Sequence, residues 1–252
     1  MNYLAHALIS DLKTEYMNDP TSQPTAFWKF EEWASHQDMS VYETNGTYSF
    51  VLGNALLYRY PLDSGYFDEI DSILSTLVFA KNQRLDFPWV ETKFFKLYHD
   101  HSNVDLVNLP DAFEFREVEQ NEFVEVCQII NESYENIKVN EEQVWSWTTK
   151  NVYNPKLWIW IINKETEKKV ALGIADMDCD IGEGALEWIQ VDSNFRGYGL
   201  GKALVNELLR RIALIGNFTS VSGEVDNQTQ PERLYRSCGF KGDRIWHIYR
   251  RK

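Results

Sequence analysis

The segment from Gln190 to Leu204, QVDSNFRGYGLGKAL, constrains this chain more than any other stretch. Leu186 to Val191 is an apolar, β-prone run. Arg196-Gly197-Tyr198-Gly199-Leu200-Gly201 is a glycine-rich turn, and Leu200 to Ile215 is amphipathic. Strand, glycine loop and helix in that order gather backbone N–H groups in front of a helix dipole. That is an anion site suited to a pyrophosphate. Glycine is needed because the backbone must approach phosphate oxygens with no Cβ in the way. A dinucleotide fingerprint, G-x-G-x-x-G, does not fit, because Lys202 stands where the third glycine belongs. A P-loop does not fit either. Arg196 stands where its first glycine belongs, and Ala203 follows Gly201-Lys202 in place of Ser or Thr.

The pattern that fits is R-x-x-G-x-G, with Val191 five residues before Arg196. It resembles the coenzyme A pyrophosphate loop of the GNAT superfamily of acyl-CoA N-acyltransferases. A second motif follows in family order. Leu234-Tyr235-x-x-x-Gly239-Phe240 resembles the C-terminal GNAT motif, in which a short helix carries a tyrosine and ends at Gly-Phe. The family's asparagine lies seven residues before that tyrosine. Here Gln228 holds that position and Asn227 is one further back.

The resemblance covers residues 113–252 and implies acetyl-CoA as co-substrate, with no metal. It implies that Ile189, Gln190 and Val191 border the pantetheine arm, the strand donating an N–H to the thioester oxygen. Arg196, Gly197, Tyr198, Gly199, Leu200 and Gly201 would form the pyrophosphate loop, with Lys202 and Asn227 near the cofactor. Tyr235 would protonate the leaving thiolate; the other reading is packing against Gly239-Phe240. Glu187, four before Val191, would act as base through water, and alternation puts it on the face of Ile189 and Val191. A structural charge within the sheet is the alternative. A base is needed because an unperturbed alkylammonium has a pKa of about 10.

The secondary-structure pattern agrees with the motifs. Phe113 to Val118 alternates as a first strand. Phe123, Cys127, Ile130 and Tyr134 recur at helical spacing, and Glu141 to Tyr153 reads as a second helix. Leu157–Ile162 and Lys169–Asp176 read as a hairpin. A strand over 185–191, the long helix, a strand over 218–225, a short helix over 231–237 and a strand over 244–250 complete a β-α-α-β-β-β-α-β-α-β order. On the long helix Leu204, Leu208, Ile212 and Ile215 form an apolar stripe, with Gly216 placed as its C′ residue. The expected fold class is α/β with a mixed sheet, GNAT-like in the C-terminal half. A smaller mixed α/β domain precedes it, and a boundary is expected between residues 110 and 111. In residues 1–110, 25–36 and 67–80 read as helices and 48–60 as a hairpin. A degenerate copy of the same fold is one reading of this half, although no internal repeat establishes it.

The net charge of −13 opposes nucleic acid and anionic membrane and favours cationic acceptors. Three widely spaced cysteines and an N-terminus without a basic, apolar leader fit a reduced cytoplasmic protein. Asp176-Met-Asp-Cys-Asp180 with Glu187 imitates a calcium loop, but Ile181 replaces the required glycine and the flanks read as strands. Those carboxylates either form a solvated acidic turn or attract an amine. His99 and His101 lack a third placed ligand and read as surface residues. Trp145, Trp147 and Trp158 read first as packing and second as walls of an acceptor site. The function expected is acetyl transfer from acetyl-CoA directly to a primary amine of a small molecule or peptide. The alternatives are a catalytically silent acyl-CoA-binding module and a toxin-type aminoacyl-tRNA acetylase, the latter disfavoured by the acidic balance. The sequence leaves the oligomeric state unspecified.

Overall fold

A computed structural model describes residues 3–62, 64–65, 71, 73–85, 88–134 and 137–252. In chain order the elements are α1 (Tyr3–Asn18), α2 (Phe27–Ala34), β1 (Met39–Thr44), β2 (Thr47–Leu52), β3 (Ala55–Tyr60), β4 (Thr76–Phe79) and β5 (Trp89–His99). They continue with β6 (Phe113–Glu117), α3 (Phe123–Ser133), α4 (Glu141–Thr148), β7 (Trp158–Asn163), β8 (Lys169–Asp178) and β9 (Glu183–Val191). The remainder are α5 (Leu200–Ile212), β10 (Phe218–Glu224), α6 (Pro231–Ser237) and β11 (Ile245–Arg251). Among the described residues no helix is long and apolar enough to cross a membrane.

Contacts divide the chain into two compact units. One holds Met1–Tyr98, Ser222–Glu232 and Gly242–Lys252; the other holds His99–Val221 and Arg233–Lys241. The sequence reading has one break near 110, whereas this division has four. The first unit's strands follow the order β1-β2-β3-β4-β11-β5. β11 runs antiparallel to both β4 and β5, with Leu77 opposite Tyr249 and Phe95 opposite Ile245. Its core is aromatic: Phe30 packs edge-on against Phe50 at 5.2 Å, and Tyr16 meets Phe27 at 5.3 Å with the rings tilted by 31°. The hairpin expected over 48–60 is β2 and β3. The helix expected over 67–80 is not continuous, because 76–79 is the strand β4. Residues 66–70 and 72 lie outside the described residues.

The second unit positions the chemistry. Its strands follow the order β10-β9-β8-β7-β6, all neighbours antiparallel except β9 and β10. One face carries α3 and α4, where Phe123, Val126, Ile130 and Val144 bury against Trp158, Trp160, Leu172 and Ile174. α4 starts at a capping box in which Asn140 accepts from the Gln143 N–H and Gln143 reaches back to the Asn140 N–H. The other face carries α5. A Cβ on Gly173 would meet the Leu204 side chain at 2.9 Å and one on Gly184 would meet the Ile212 side chain at 2.5 Å, so a larger residue at either position would have to displace the helix's apolar side chains.

The β-α-α-β-β-β-α-β-α-β order expected from residue 113 onward is the order found. Two details of the long helix differ from expectation. It ends at Ile212, so Ile215 leaves the apolar stripe and is half exposed. Gly216 is not a left-handed cap; it is small because a Cβ there would lie 2.9 Å from the Gly182 carbonyl. Asn206 and Glu207, off the apolar stripe in sequence, are both buried.

Candidate active site

The glycine loop takes its shape from backbone conformation. Gly197 and Gly199 have φ of +85° and +78°, in the left-handed region, and a Cβ on either would meet nothing within 4 Å. Gly199 is the N-cap of α5, and its carbonyl accepts the Ala203 N–H at 3.0 Å. The N–H groups of Leu200, Gly201 and Lys202 therefore precede the first intrahelical bond and point out of the helix end. Phe113, Phe195 and Tyr198 brace the loop, with ring centroids 6.2 to 6.5 Å apart. Before it, Asp192 accepts from Lys168 at 2.7 Å and from the Asn194 N–H at 2.9 Å. The Lys168 ammonium and that N–H hold the Asp192 carboxyl below its ordinary pKa. Arg196 Nε donates to the Val191 carbonyl at 3.4 Å. Lys202 pairs with Asp105 at 3.1 Å.

The strand leading into the loop is irregular at one residue. Ile189 lies opposite Gly173 and Trp188 opposite Ile174, but Leu186 lies opposite Ala175. Glu187 is thus the extra residue of a β-bulge, a feature that re-aims side chains beside active sites. The alternation that would place Glu187 on the face of Ile189 and Val191 is broken at Glu187 itself, so that count does not carry across it. On the other side of β9 the parallel ladder with β10 runs from Glu183/Phe218 to Leu186/Val221, and β9 runs on to Val191. The bulge and the end of that ladder coincide.

Tyr235 lies in α6, which opens with Pro231 as its first residue. Its side chain is buried, 7% exposed, with its ring 5.7 Å from that of Phe240. The Phe240 N–H returns to the Tyr235 carbonyl at 3.2 Å through Gly239, whose φ is +91°. Burial first, then the neighbouring Tyr134 and Cys238, push the Tyr235 phenol well above its ordinary pKa. It is a buried hydroxyl held in its protonated form.

A family model described as an acetyltransferase (GNAT) domain matches residues 155–242, which span the bulged strand, the glycine loop and Tyr235. This chain carries a GNAT domain. A histone acetyltransferase of Glycine max, TAP1, is 35% identical over 80 residues, 31% of this chain and 32% of its own length. A probable acetyltransferase of the same plant, TAP2, is 35% identical over 80 residues, covering 31% of this chain and 30% of its own. The match to these curated relatives spans about a third of their length. Among solved structures, an acetyltransferase of the GNAT family from Colwellia psychrerythraea aligns with a TM-score of 0.62 at 14% identity. It covers 100% of this chain and 98% of its own. A Drosophila protein aligns with a TM-score of 0.63 at 13% identity, covering 98% and 96%. The shared fold therefore takes in residues 1–110 as well as the GNAT domain.

Ahead of the matched residues 155–242 the structure adds a residue to which sequence reasoning gave only a helical position. Tyr134 follows α3 in an extended conformation, so its helical spacing after Ile130 is not what places it. Its hydroxyl accepts from Gln190 Nε2 at 3.1 Å, and its ring meets Trp188 edge-on at 5.9 Å. Trp188 also stacks on Trp147 at 5.7 Å and 20°. Tyr134, Trp147, Trp188 and Gln190 thus share the α3/α4 face of the sheet, and Tyr134 is close enough to Tyr235 to influence its ionisation. Trp158 is wholly core and Trp145 is half exposed.

Other expected positions have structural occupations. The Asn227 side-chain oxygen accepts from the Thr229 N–H and hydroxyl, at 2.9 and 2.7 Å, in the turn before α6. The calcium-like segment is the end of β8, Asp176 to Asp178, followed by Cys179 and Asp180 in the turn to β9. Asp176 and Asp178 are buried in the strand, so the expectation of a solvated acidic turn holds only for Asp180, which is exposed. His99 is also buried. Its Nδ1 accepts the His101 N–H at 3.0 Å, and His101 Nε2 bonds Thr219 Oγ1 at 2.8 Å. Among the described residues no cluster of three or more His, Cys, Asp or Glu is arranged for a metal ion. A polar cavity of about 590 Å³ reaches Val191 and Arg196 from the side of Glu125, Glu132 and Lys169; neither Glu187 nor Tyr235 lines it.

Proposed function

We propose that this protein is an N-acetyltransferase that moves an acetyl group from acetyl-CoA directly to a primary amine of a small molecule or peptide. The observation that carries the reading is Tyr235, a buried phenol kept protonated, in the same unit as a left-handed glycine loop at a helix N-terminus. The loop residues fit a pyrophosphate: Gly197 and Gly199 leave open space where a side chain would stand, and Gly199, the N-cap of α5, offers its first N–H groups no side-chain acceptor. The stretch Glu187 to Val191 supplies backbone N–H groups for an extended pantetheine arm and for the thioester oxygen, the interaction that lowers the barrier most.

In the reaction a neutral amine attacks the thioester carbonyl, a C–N bond forms and the C–S bond breaks. The departing sulfur takes a proton, and Tyr235 is the acid placed to give it. Glu187, at the bulge, is the carboxylate assigned to deprotonate the ammonium through water. The aromatic wall of Tyr134, Trp147 and Trp188 suits a cationic or apolar acceptor, and the net charge of −13 favours a cationic one. The soybean relative named as a histone acetyltransferase supports including a basic peptide among the candidates.

The test is thiol release from acetyl-CoA by the full chain against a panel of alkylamines, polyamines and lysine-rich peptides. Amine-dependent release supports the reading. CoA binding by calorimetry without turnover on any amine would favour a silent acyl-CoA module, and failure to bind CoA would overturn both.

A further inference from the structure

Tyr235 stands at one end of a short row of rings. Phe240 lies between two side chains, its ring 5.7 Å from that of Tyr235 and 5.5 Å, edge-on, from that of His99. His99 is the last residue of β5 and is 2% exposed. Its ring also fills the space over Gly239, where a Cβ would meet Nε2 at 2.9 Å. The turn that His99 covers is the one that closes on Tyr235. The Cys238 and Phe240 N–H groups both donate to the Tyr235 carbonyl, at 2.9 and 3.2 Å.

The hydrogen bonding of His99 decides how it titrates. Nδ1 accepts the His101 N–H at 3.0 Å, so the neutral ring carries its proton on Nε2. A second proton has to enter at Nδ1, where it faces that N–H and abolishes the bond. Burial opposes the charge as well. It holds the His99 pKa below its ordinary value of about 6.5, with Lys241 acting in the same sense and Asp100, the Asn103 backbone and Asp105 against it. The other groups around the ring keep their charge while it titrates. Lys241, from the turn after α6, pairs with Asp100, and Lys241 and Ser102 hold the Asp100 carboxyl well below the usual carboxylate range. Burial pushes the Cys238 thiol up to about 11, so it stays neutral. His101 is the exception. It bonds Thr219 of β10 through Nε2, and burial and then His99 lower its pKa too.

We infer that His99 is a positioning residue for Tyr235: neutral, it seats Gly239 and Phe240 and so the Tyr235 hydroxyl; protonated, it gives up the His101 bond and that seat. Turnover is then full above the folded His99 pKa, and it falls toward that of Tyr235→Phe as pH drops through it. The proposal rests on the acetyltransferase reading above for this kinetic consequence alone.

The experiment has two arms on the full chain. The first is an NMR titration from pH 8 to 5, with the His99 and Tyr235 ring signals assigned by their absence in His99→Gln and Tyr235→Phe. The Tyr235 signals should move with the midpoint of His99. Tyr235 signals that ignore this midpoint would overturn the proposal and leave the acetyltransferase reading in place. The second arm is kcat for amine-dependent thiol release over the same range. Gln offers the His101 N–H an acceptor and does not ionise. The ratio of kcat in His99→Gln to that in the unaltered protein should therefore rise from about one at pH 8 to about tenfold or more at pH 5. In the Tyr235→Phe background the same ratio should stay within about twofold throughout, since residues that act as a unit are not additive. His101→Gln should leave the acid fall of kcat in place; a fall that vanishes there and persists in His99→Gln would overturn the assignment to His99. Absence of turnover on every amine would overturn the acetyltransferase reading, and the NMR arm would still decide whether His99 governs Tyr235.

Discussion

Replacing Tyr235 by Phe removes one oxygen from a side chain that is 7% exposed and keeps the ring that packs on Phe240. Two magnitudes follow. Loss of one buried hydroxyl should cost about 0.5–1.5 kcal/mol of stability, a fall of a few degrees in melting temperature for a chain of this size. If the hydroxyl protonates the leaving thiolate, turnover should fall by about 10²–10⁴-fold, or about 2.7–5.5 kcal/mol of barrier. The KM for acetyl-CoA should move little, because the contact forms chiefly as the C–S bond breaks. The pH profile gives a further check. Burial raises the Tyr235 pKa above the usual 10, so the proton is present throughout the accessible range. Any alkaline limb below pH 10 should therefore be the same in the unaltered and Phe proteins. The assay is steady-state thiol release from acetyl-CoA between pH 6 and 10. Turnover within about threefold of the unaltered enzyme would refute the acid role. An alkaline limb that disappears in the variant would refute the protonation argument.

Gly199→Val should abolish CoA binding; the αL backbone costs a β-branched residue about 1–2 kcal/mol or more, and a folded variant that still binds CoA by calorimetry would remove the loop from the phosphate site. Arg211→Ala should destabilise the protein by about 1–3 kcal/mol, because Arg211 donates to Glu207 and to the Lys156 carbonyl, each at 2.7 Å. Burial raises the Glu207 pKa, but Arg210 and Arg211 outweigh it and lower it overall. The stability this represents is present above the unfolded carboxylate pKa of about 4.3 and lost as pH falls through the lower folded value. The urea-midpoint gap between Arg211→Ala and the unaltered chain should thus narrow in acid. Burial lowers the pKa of His99 and His101, so stability should be full above the unfolded value of about 6.5 and decline as pH drops through the folded values. His101→Gln should flatten that decline in melting curves taken from pH 7.5 to 5.

The order of elements from Phe113 onward was legible because many carry their own local signal: alternation in β6, helical spacing from Phe123 to Ile130, the glycines of the loop, Gly-Phe after α6. What was missed depends on partners distant in sequence. Ile73, Leu74 and Leu77 have helical spacing, yet Leu77 lies in β4 opposite Tyr249, 172 residues later. His99 and His101 carry no local sign of burial, since Thr219 and Phe240 enclose them. The bulge at Glu187 is a property of the register with β8, which no count along β9 alone can reveal. Tyr134 joins Trp188 and Gln190 only once the sheet has formed. The division of the chain likewise follows contacts made by 222–232 and 242–252, and neither segment has a composition that announces it.

The strand order β4-β11-β5 has a consequence in time. β5 ends at His99 and the strand that fits between it and β4 begins at Ile245. During synthesis at about 5–20 residues per second, β4 and β5 wait on the order of 7–30 s for the neighbour that closes the gap. Over that interval the edges of both strands offer open backbone groups to any passing extended chain. The nascent first unit is thus most exposed to aggregation and to chaperone capture while the GNAT domain is being made. Loss of the β11 segment would make that exposure permanent, leaving the first unit divided along its middle although the glycine loop and Tyr235 remain in the chain.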